Sequence, residues 1–165
     1  MAGSVSPSTG VLFVCTGNIC RSPTAHGVFL QMVSKAGLAE RIRVDSAGTH
    51  DYHVGEAPDA RAQMHARRRG YDLSMLRARQ VSREDFERFA RILAMDRGHL
   101  AILRRLAPTG FKGLGLFMDY AEASPGQDVP DPYYGGADGF ERVLDMIERA
   151  AAGLLDSLRR GERGD

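Results

Sequence analysis

Tryptophan is absent from the 165-residue sequence, and cysteine occurs only twice. No apolar run approaches the ~20 residues that span a bilayer, so no membrane insertion is expected. The first ten residues, Met1 to Gly10, have neither the basic start nor the apolar stretch of a secretory signal. Charge of one sign is also missing. With 22 basic and 21 acidic residues the net charge is +1, which gives no global field favouring nucleic acid. The five histidines show no metal-ligand spacing, so neither a metal nor another cofactor is expected. Cys15 and Cys20 fall in one short stretch; a bridge between them would close almost no chain, which excludes a disulfide scaffold. Their placement suits a reducing compartment and a reactive thiol, and so a cytoplasmic location. No repeat or linker divides the chain. One domain over residues 10–160 is expected, with a disordered tail at 1–9 and a frayed one at 161–165. The 43% apolar and 26% charged content suits a globular fold with a sizeable core.

What is present is concentrated in Val11 to Ala25. Val11-Leu12-Phe13-Val14 reads as a buried strand that ends at Cys15. Thr16, Gly17, Asn18, Ile19 and Cys20 form a short loop, in which Gly17 and Asn18 tolerate positive φ. Arg21 stands at or just before the start of a helix signalled by Ser22-Pro23. Backbone N–H groups of such a loop, turned inward at a positive helix terminus, make an anion-binding nest. That setting favours the thiolate of a cysteine placed inside it. Arg21 adds a planar fork that matches two oxygens of a phosphate. A thiolate facing a held phosphate can attack phosphorus in line and form a phosphocysteine without a metal. Plainer readings stand beside these. Cys15 can be a core cysteine, Asn18 a turn residue and Ser22 a helix cap. Arg21 can be a solvated helix-start residue, although the helix dipole disfavours a cation there.

Beyond the loop, helices are expected over Thr24 to Ala36, Pro58 to Arg69, Asp96 to Leu106 and Asp138 to Leu158, with strands at Arg43 to Ser46, Arg91 to Met95 and Leu114 to Met118. Ser82-Arg83-Glu84-Asp85 reads as a capping box opening one turn. Strands alternating with helices argue a parallel sheet covered on both faces, with ligands beyond the carboxyl ends of its strands.

The Cys-to-Arg-Ser loop resembles the signature of low-molecular-weight protein tyrosine phosphatases. Further stretches extend the resemblance in order along nearly the whole chain: Ser46-Ala47-Gly48-Thr49, Pro58-Asp59-Ala60-Arg61, Ala78-Arg79-Gln80, Ile92-Leu93-Ala94-Met95-Asp96 and Asp131-Pro132-Tyr133-Tyr134. The resemblance implies a doubly wound, four-stranded parallel sheet of flavodoxin-like type. It also implies hydrolysis of phosphotyrosine in proteins through a phosphocysteine. Cys15 would be the nucleophile, Arg21 and the loop 16–20 the phosphate binders, and Asp131 the general acid. Asp-Pro alone marks only a turn; a carboxyl beside apolar rings and a bound dianion is one that can keep its proton. Ser22 would steady the thiolate, Asn18 would hold the loop, and Tyr52 and Tyr133 would wall a slot for a flat ring. Ile19 resembles the tyrosine phosphatases, where arginine phosphatases of the superfamily carry Thr. Cys20 would form a reversible disulfide with Cys15.

Four positions depart from the pattern. Many relatives carry Trp at Tyr52, Glu at His26 and Asn at His99, and eukaryotic members carry His at Leu76. Two rivals share the loop. An arsenate reductase of this fold relays electrons through additional cysteines, which this chain lacks. A silent phosphate-binding module would not turn over an aryl phosphate.

Overall fold

The computed structural model describes residues 9–122, 125–132 and 136–162. Strand β1 runs over Thr9–Cys15, and its side chains alternate between two cores. Val11, Phe13 and Cys15 enter one cluster, Leu12 and Val14 the other. Helix α1 (Arg21–Lys35) returns the chain to β2 (Ile42–Gly48), which pairs with β1 in parallel from Thr9↔Ile42 to Cys15↔Gly48. Then follow α2 (Ala60–Arg68), the single turn α3 (Asp85–Arg88), β3 (Arg91–Ala94), α4 (Arg97–Leu106), β4 (Leu114–Leu116), a 3-10 turn (Phe117–Tyr120) and α5 (Gly136–Glu162). Strand order is β2-β1-β3-β4, all parallel, the flavodoxin-like arrangement expected. The chain leaves β1 toward β2 on one side and β3 on the other, so the strand order reverses at the end of β1. Ligands of such sheets bind at this switch point, and Cys15 is there.

The two faces are filled as the periodicity predicts. Val28, Phe29 and Val33 of α1 and Val143, Leu144, Ile147, Leu154 and Leu158 of α5 are buried over one face, around Phe13, which meets Phe29 and Phe117 edge-on. Leu100 and Leu103 of α4, with Phe86 and Phe89, cover the other.

Element ends differ from expectation for local reasons. Helix α1 starts at Arg21 rather than Thr24, so Ser22 lies inside its first turn and does not cap it; the N-cap is Cys20, with no side-chain cap. Helix α2 begins after Asp59, whose carboxylate accepts from the N–H groups of Arg61 and Ala62, and Pro58 stays outside. The capping box at 82–85 is half formed: the Ser82 N–H donates to Asp85 Oδ2 at 2.8 Å, while Asp85 is held by Arg79. Strand β4 stops at Leu116, because the next residues turn to bury Phe117 and Met118. Leu106, expected on the apolar face of α4, is 48% exposed. Thr9 already pairs in β1, and Gly161 and Glu162 close α5; residues 1–8 and 163–165 lie outside the described residues.

One glycine fixes how α5 sits against the 3-10 turn. A Cβ on Gly153 would stand 1.8 Å from the carbonyl oxygen of Tyr120. Neither backbone can give way inside a close-packed layer. Gly153→Ala is expected to lower unfolding free energy by about 1–3 kcal/mol, with a matching drop in the thermal midpoint. An unchanged midpoint would show that the helix can shift.

Candidate active site

The loop from Thr16 to Cys20 is shaped by its neighbours, which take its carbonyls. The Thr49 N–H donates to Cys15 O at 2.8 Å, His50 to Thr16 O at 3.0 Å, Asp59 to Ile19 O at 2.8 Å and Thr24 to Cys20 O at 3.2 Å. In a trans peptide the following N–H points opposite to the carbonyl. The N–H groups of Thr16, Gly17, Cys20 and Arg21 are thereby turned away from these partners. Among the described residues none of these N–H groups from Thr16 to Cys20 meets a backbone carbonyl. Gly48 allows the close packing, since a Cβ there would lie 2.6 Å from Thr16 O.

Asn18 is the chain's single asparagine and, among the described residues, the one non-glycine with positive φ, at 59°. Its side chain offsets the strain. The Arg79 N–H donates to Asn18 Oδ1 at 3.0 Å, and Asn18 Nδ2 donates to Ser22 Oγ at 2.8 Å. The backbone donor fixes the amide's orientation. Ser22 Oγ therefore accepts on one side and has its own proton to give. Cys15 Sγ is 3.0 Å away, nearer than the Ala47 carbonyl at 3.4 Å. The relay thus reaches the sulfur through a hydroxyl that has a proton to give it. Ser22 therefore sits against the sulfur and does not cap the helix. Asn18 and Ser22 stand behind the loop and do not face the pocket.

Arg21, almost fully buried, directs Nη1 to Asp96 Oδ2 at 2.9 Å and to the Val129 carbonyl at 3.0 Å. Nε and Nη2 of the fork lie outside these contacts. Burial raises the pKa of Asp96, but the His99 N–H and the Arg21 charge outweigh it and hold the carboxyl below its ordinary range.

Cys15, Thr16, Gly17, Ile19, Cys20 and Arg21 open on a pocket of about 270 Å³ whose upper wall is Tyr52, His53 and Asp131. Tyr52 is 67% exposed and backed by the stacked ring of His50, with centroids 5.0 Å apart. Asp131 is exposed on the wall. Tyr133, the other expected wall, lies outside the described residues. Ile19 packs toward Cys20, Ala62 and Phe140 beneath the rim. Cys15 and Cys20 are both free thiols. Burial, with the nearby negative charges of Asp59, Cys15 and Asp131, pushes the Cys20 thiol up to about 12, so it is no competing nucleophile.

Four residues here escape the sequence reading. Asp96 and Arg79 lie inside quoted stretches, but nothing local says that one holds Arg21 across 75 positions and the other Asn18 across 61. His53 is seen in the sequence only as a loop-tip residue, yet its ring lies against Gly17. His99 is visible only as a departure from a pattern. The other departures are packing solutions. His26 is buried on Ser46 Oγ at 2.9 Å, with its pKa lowered by burial, and Leu76 packs on the main core.

Among the described residues, no cluster of three or more His, Cys, Asp or Glu side chains is placed to hold a metal, and no helix is long and apolar enough to cross a membrane. What the pocket offers is a sulfur, a cup of N–H groups, a guanidinium and a carboxyl, which together fit a tetrahedral oxyanion carrying a flat group.

Comparison with known proteins gives a consistent result. The sequence profile of the low molecular weight phosphotyrosine protein phosphatase family matches residues 10–163. A low molecular weight protein-tyrosine-phosphatase of Streptomyces coelicolor is 47% identical over 158 residues, which cover 93% of this chain and 96% of that one. The crystal structure of YfkJ from Bacillus subtilis superposes with a TM-score of 0.89 at 40% identity, over 96% of this chain and 99% of that one. A protein tyrosine phosphatase of Entamoeba histolytica, crystallised with Hepes in its active site, gives 0.89 at 38% identity, over 94% and 99%.

Proposed function

The chain belongs to the low-molecular-weight phosphotyrosine protein phosphatase family and hydrolyses phosphotyrosine in proteins; from that premise we propose that Cys15, Arg21 and Asp131 carry the reaction. The loop N–H groups and the free part of the Arg21 fork hold the three non-bridging oxygens of the phosphate. The Cys15 thiolate, receiving the Ser22 hydroxyl, attacks phosphorus in line. The S–P bond forms as the P–O bond to the tyrosine ring breaks. Asp131 gives its proton to the leaving phenolate oxygen. In the second step Asp131 takes a proton from water, which attacks phosphorus and releases phosphate and thiolate. Tyr52 faces the substrate ring, and a ring lying there shields the exposed Asp131 from water. Tyr133 is assigned the opposite wall on the resemblance alone.

The observation that carries this reading is the hydrogen-bond relay that ends on Cys15, with the hydroxyl of Ser22 3.0 Å from the sulfur, on the same loop as Arg21. The arsenate reductase reading lacks the extra cysteines that its electron relay needs. Turnover of an aryl phosphate in EDTA would exclude the silent module. The proposed setting is the cytoplasm, where the Cys15 thiol stays reduced.

Asp131→Ala tests the assignment of the acid. Phosphoenzyme formation should slow by about 10²–10⁴-fold for aryl phosphates with poor leaving groups, and far less for good ones. Stopped-flow measurement across a leaving-group series reads this directly. A loss that does not depend on the leaving group would remove Asp131 from that role.

A further inference from the structure

His99 is buried in the first turn of α4 and takes no part in the steps above. Its Nε2 lies 2.8 Å from the Thr16 hydroxyl. Its backbone N–H donates to Asp96 Oδ1 at 2.9 Å, and its Nδ1 stands 3.1 Å from the same oxygen. That last contact is off the line a hydrogen bond needs, so Nδ1 has no hydrogen-bond partner among the described residues. A buried polar atom left this way costs stability, and something must retain it.

The proton's place follows from the charges. Burial pushes the imidazole down to about 4, so the ring is neutral at pH 7 and carries one proton. The contact with Asp96 is therefore a dipole facing a carboxylate, not an ion pair. A bare lone pair on Nδ1 would be repelled by that carboxylate, while an N–H is attracted even off axis. Nδ1 holds the proton, and Nε2 accepts from Thr16 Oγ1. Arg21, His50 and Asp128 also face the ring and leave this choice unchanged.

Thr16 follows the nucleophile, and Arg21 closes the loop. One end is bound to the His99 ring, and the other is bound to Asp96, the residue that caps the same turn. We propose that His99 is a positioning residue: through Thr16 at one end and the Asp96–Arg21 pair at the other, it holds the loop in its anion-receiving shape before the phosphate arrives. The inference rests on the reading of this loop as the phosphate site. Its benefit is preorganisation, because donors already aimed need no rearrangement when charge develops.

The test measures the Kd of inorganic phosphate by competition with an aryl phosphate, together with kcat and KM. It compares wild type with His99→Leu, His99→Gln, Thr16→Val and the His99→Leu, Thr16→Val double variant. Leucine removes both ring nitrogens at similar bulk, whereas glutamine carries an amide oxygen toward the place of Nε2. His99→Leu and Thr16→Val should each weaken phosphate binding about tenfold, the value of one hydrogen bond. The double variant should be no weaker than the worse single one, since both remove the same contact. His99→Gln should recover most of the loss. A role confined to packing predicts a lower thermal midpoint with unchanged phosphate affinity, and that result overturns the proposal, as does additivity in the double variant. Should His99→Leu fail to fold, Thr16→Val, at a half-buried position, decides alone: unchanged phosphate affinity overturns the proposal. Wild-type protein that does not bind phosphate in competition with the aryl phosphate overturns the reading of the site instead.

Discussion

Cys15→Ser should abolish turnover and leave the oxyanion site intact. A serine hydroxyl at this position stays protonated at neutral pH and is a far weaker nucleophile than a thiolate. Removing the nucleophile is expected to lower kcat on the order of 10⁵-fold or more, since no other group on the pocket can take its place. Cys20, whose thiol is pushed up to about 12, is the nearest alternative and is not ionised. The parts proposed to bind phosphate are elsewhere: the N–H groups aimed by Thr49, His50 and Asp59, and the guanidinium held by Asp96. Inorganic phosphate should therefore still bind within about tenfold of wild type, which isothermal titration reads directly. Turnover above about one part in a hundred would place the nucleophile on another residue. The same variant, which binds but does not react, is the form with which to capture phosphoproteins and identify the substrate.

Arg21→Lys also carries a large expected effect, although it keeps the charge. The guanidinium does two things at once. Nη1 is shared between Asp96 and the Val129 carbonyl, and the rest of the fork is left for the phosphate. An ammonium is one point on a flexible stem and cannot satisfy both directions. If it turns to Asp96, the phosphate loses its bidentate partner. If it turns to the phosphate, Asp96 keeps a half-buried charge without its cation, and the Val129 carbonyl loses its donor. Val129 lies two residues before Asp131, and its N–H is bound to Met95 O at 2.8 Å. The arginine thereby links the 16–20 loop to the segment that carries Asp131, the proposed acid. A loss in kcat/KM of about 10³-fold is expected, in the range found where an arginine stabilises transferring phosphoryl charge. Phosphate affinity should weaken in parallel. A lysine enzyme within tenfold of wild type would show that the N–H cup alone supplies the binding.

The sequence made the fold legible because its signals are local and periodic. Val11 to Cys15 read as a buried strand, the alternation of strands and helices argued a parallel sheet, and Gly17, Asn18 and Ser22-Pro23 marked the turn into α1. Cys15, Arg21 and the loop between them were visible for the same reason, since they lie in seven consecutive positions. Element ends were less legible. Asp59 rather than Pro58 opens α2, and Phe117 turns inward instead of extending β4, because caps and burial decide such ends.

What no window of residues could show was how the loop is held. Asn18 looks like a turn residue until Arg79 reaches it, Ser22 like a cap until its hydroxyl is found on the sulfur, and Asp96 like an ordinary N-cap until it also takes Arg21. The sequence by itself determined which atoms of the loop are candidates for the chemistry, because type and spacing of nearby residues suffice for that. Only the tertiary structure decided how those atoms are aimed, because the hydrogen bonds that aim them join residues 61 and 75 positions apart and form only when the sheet brings their strand ends together.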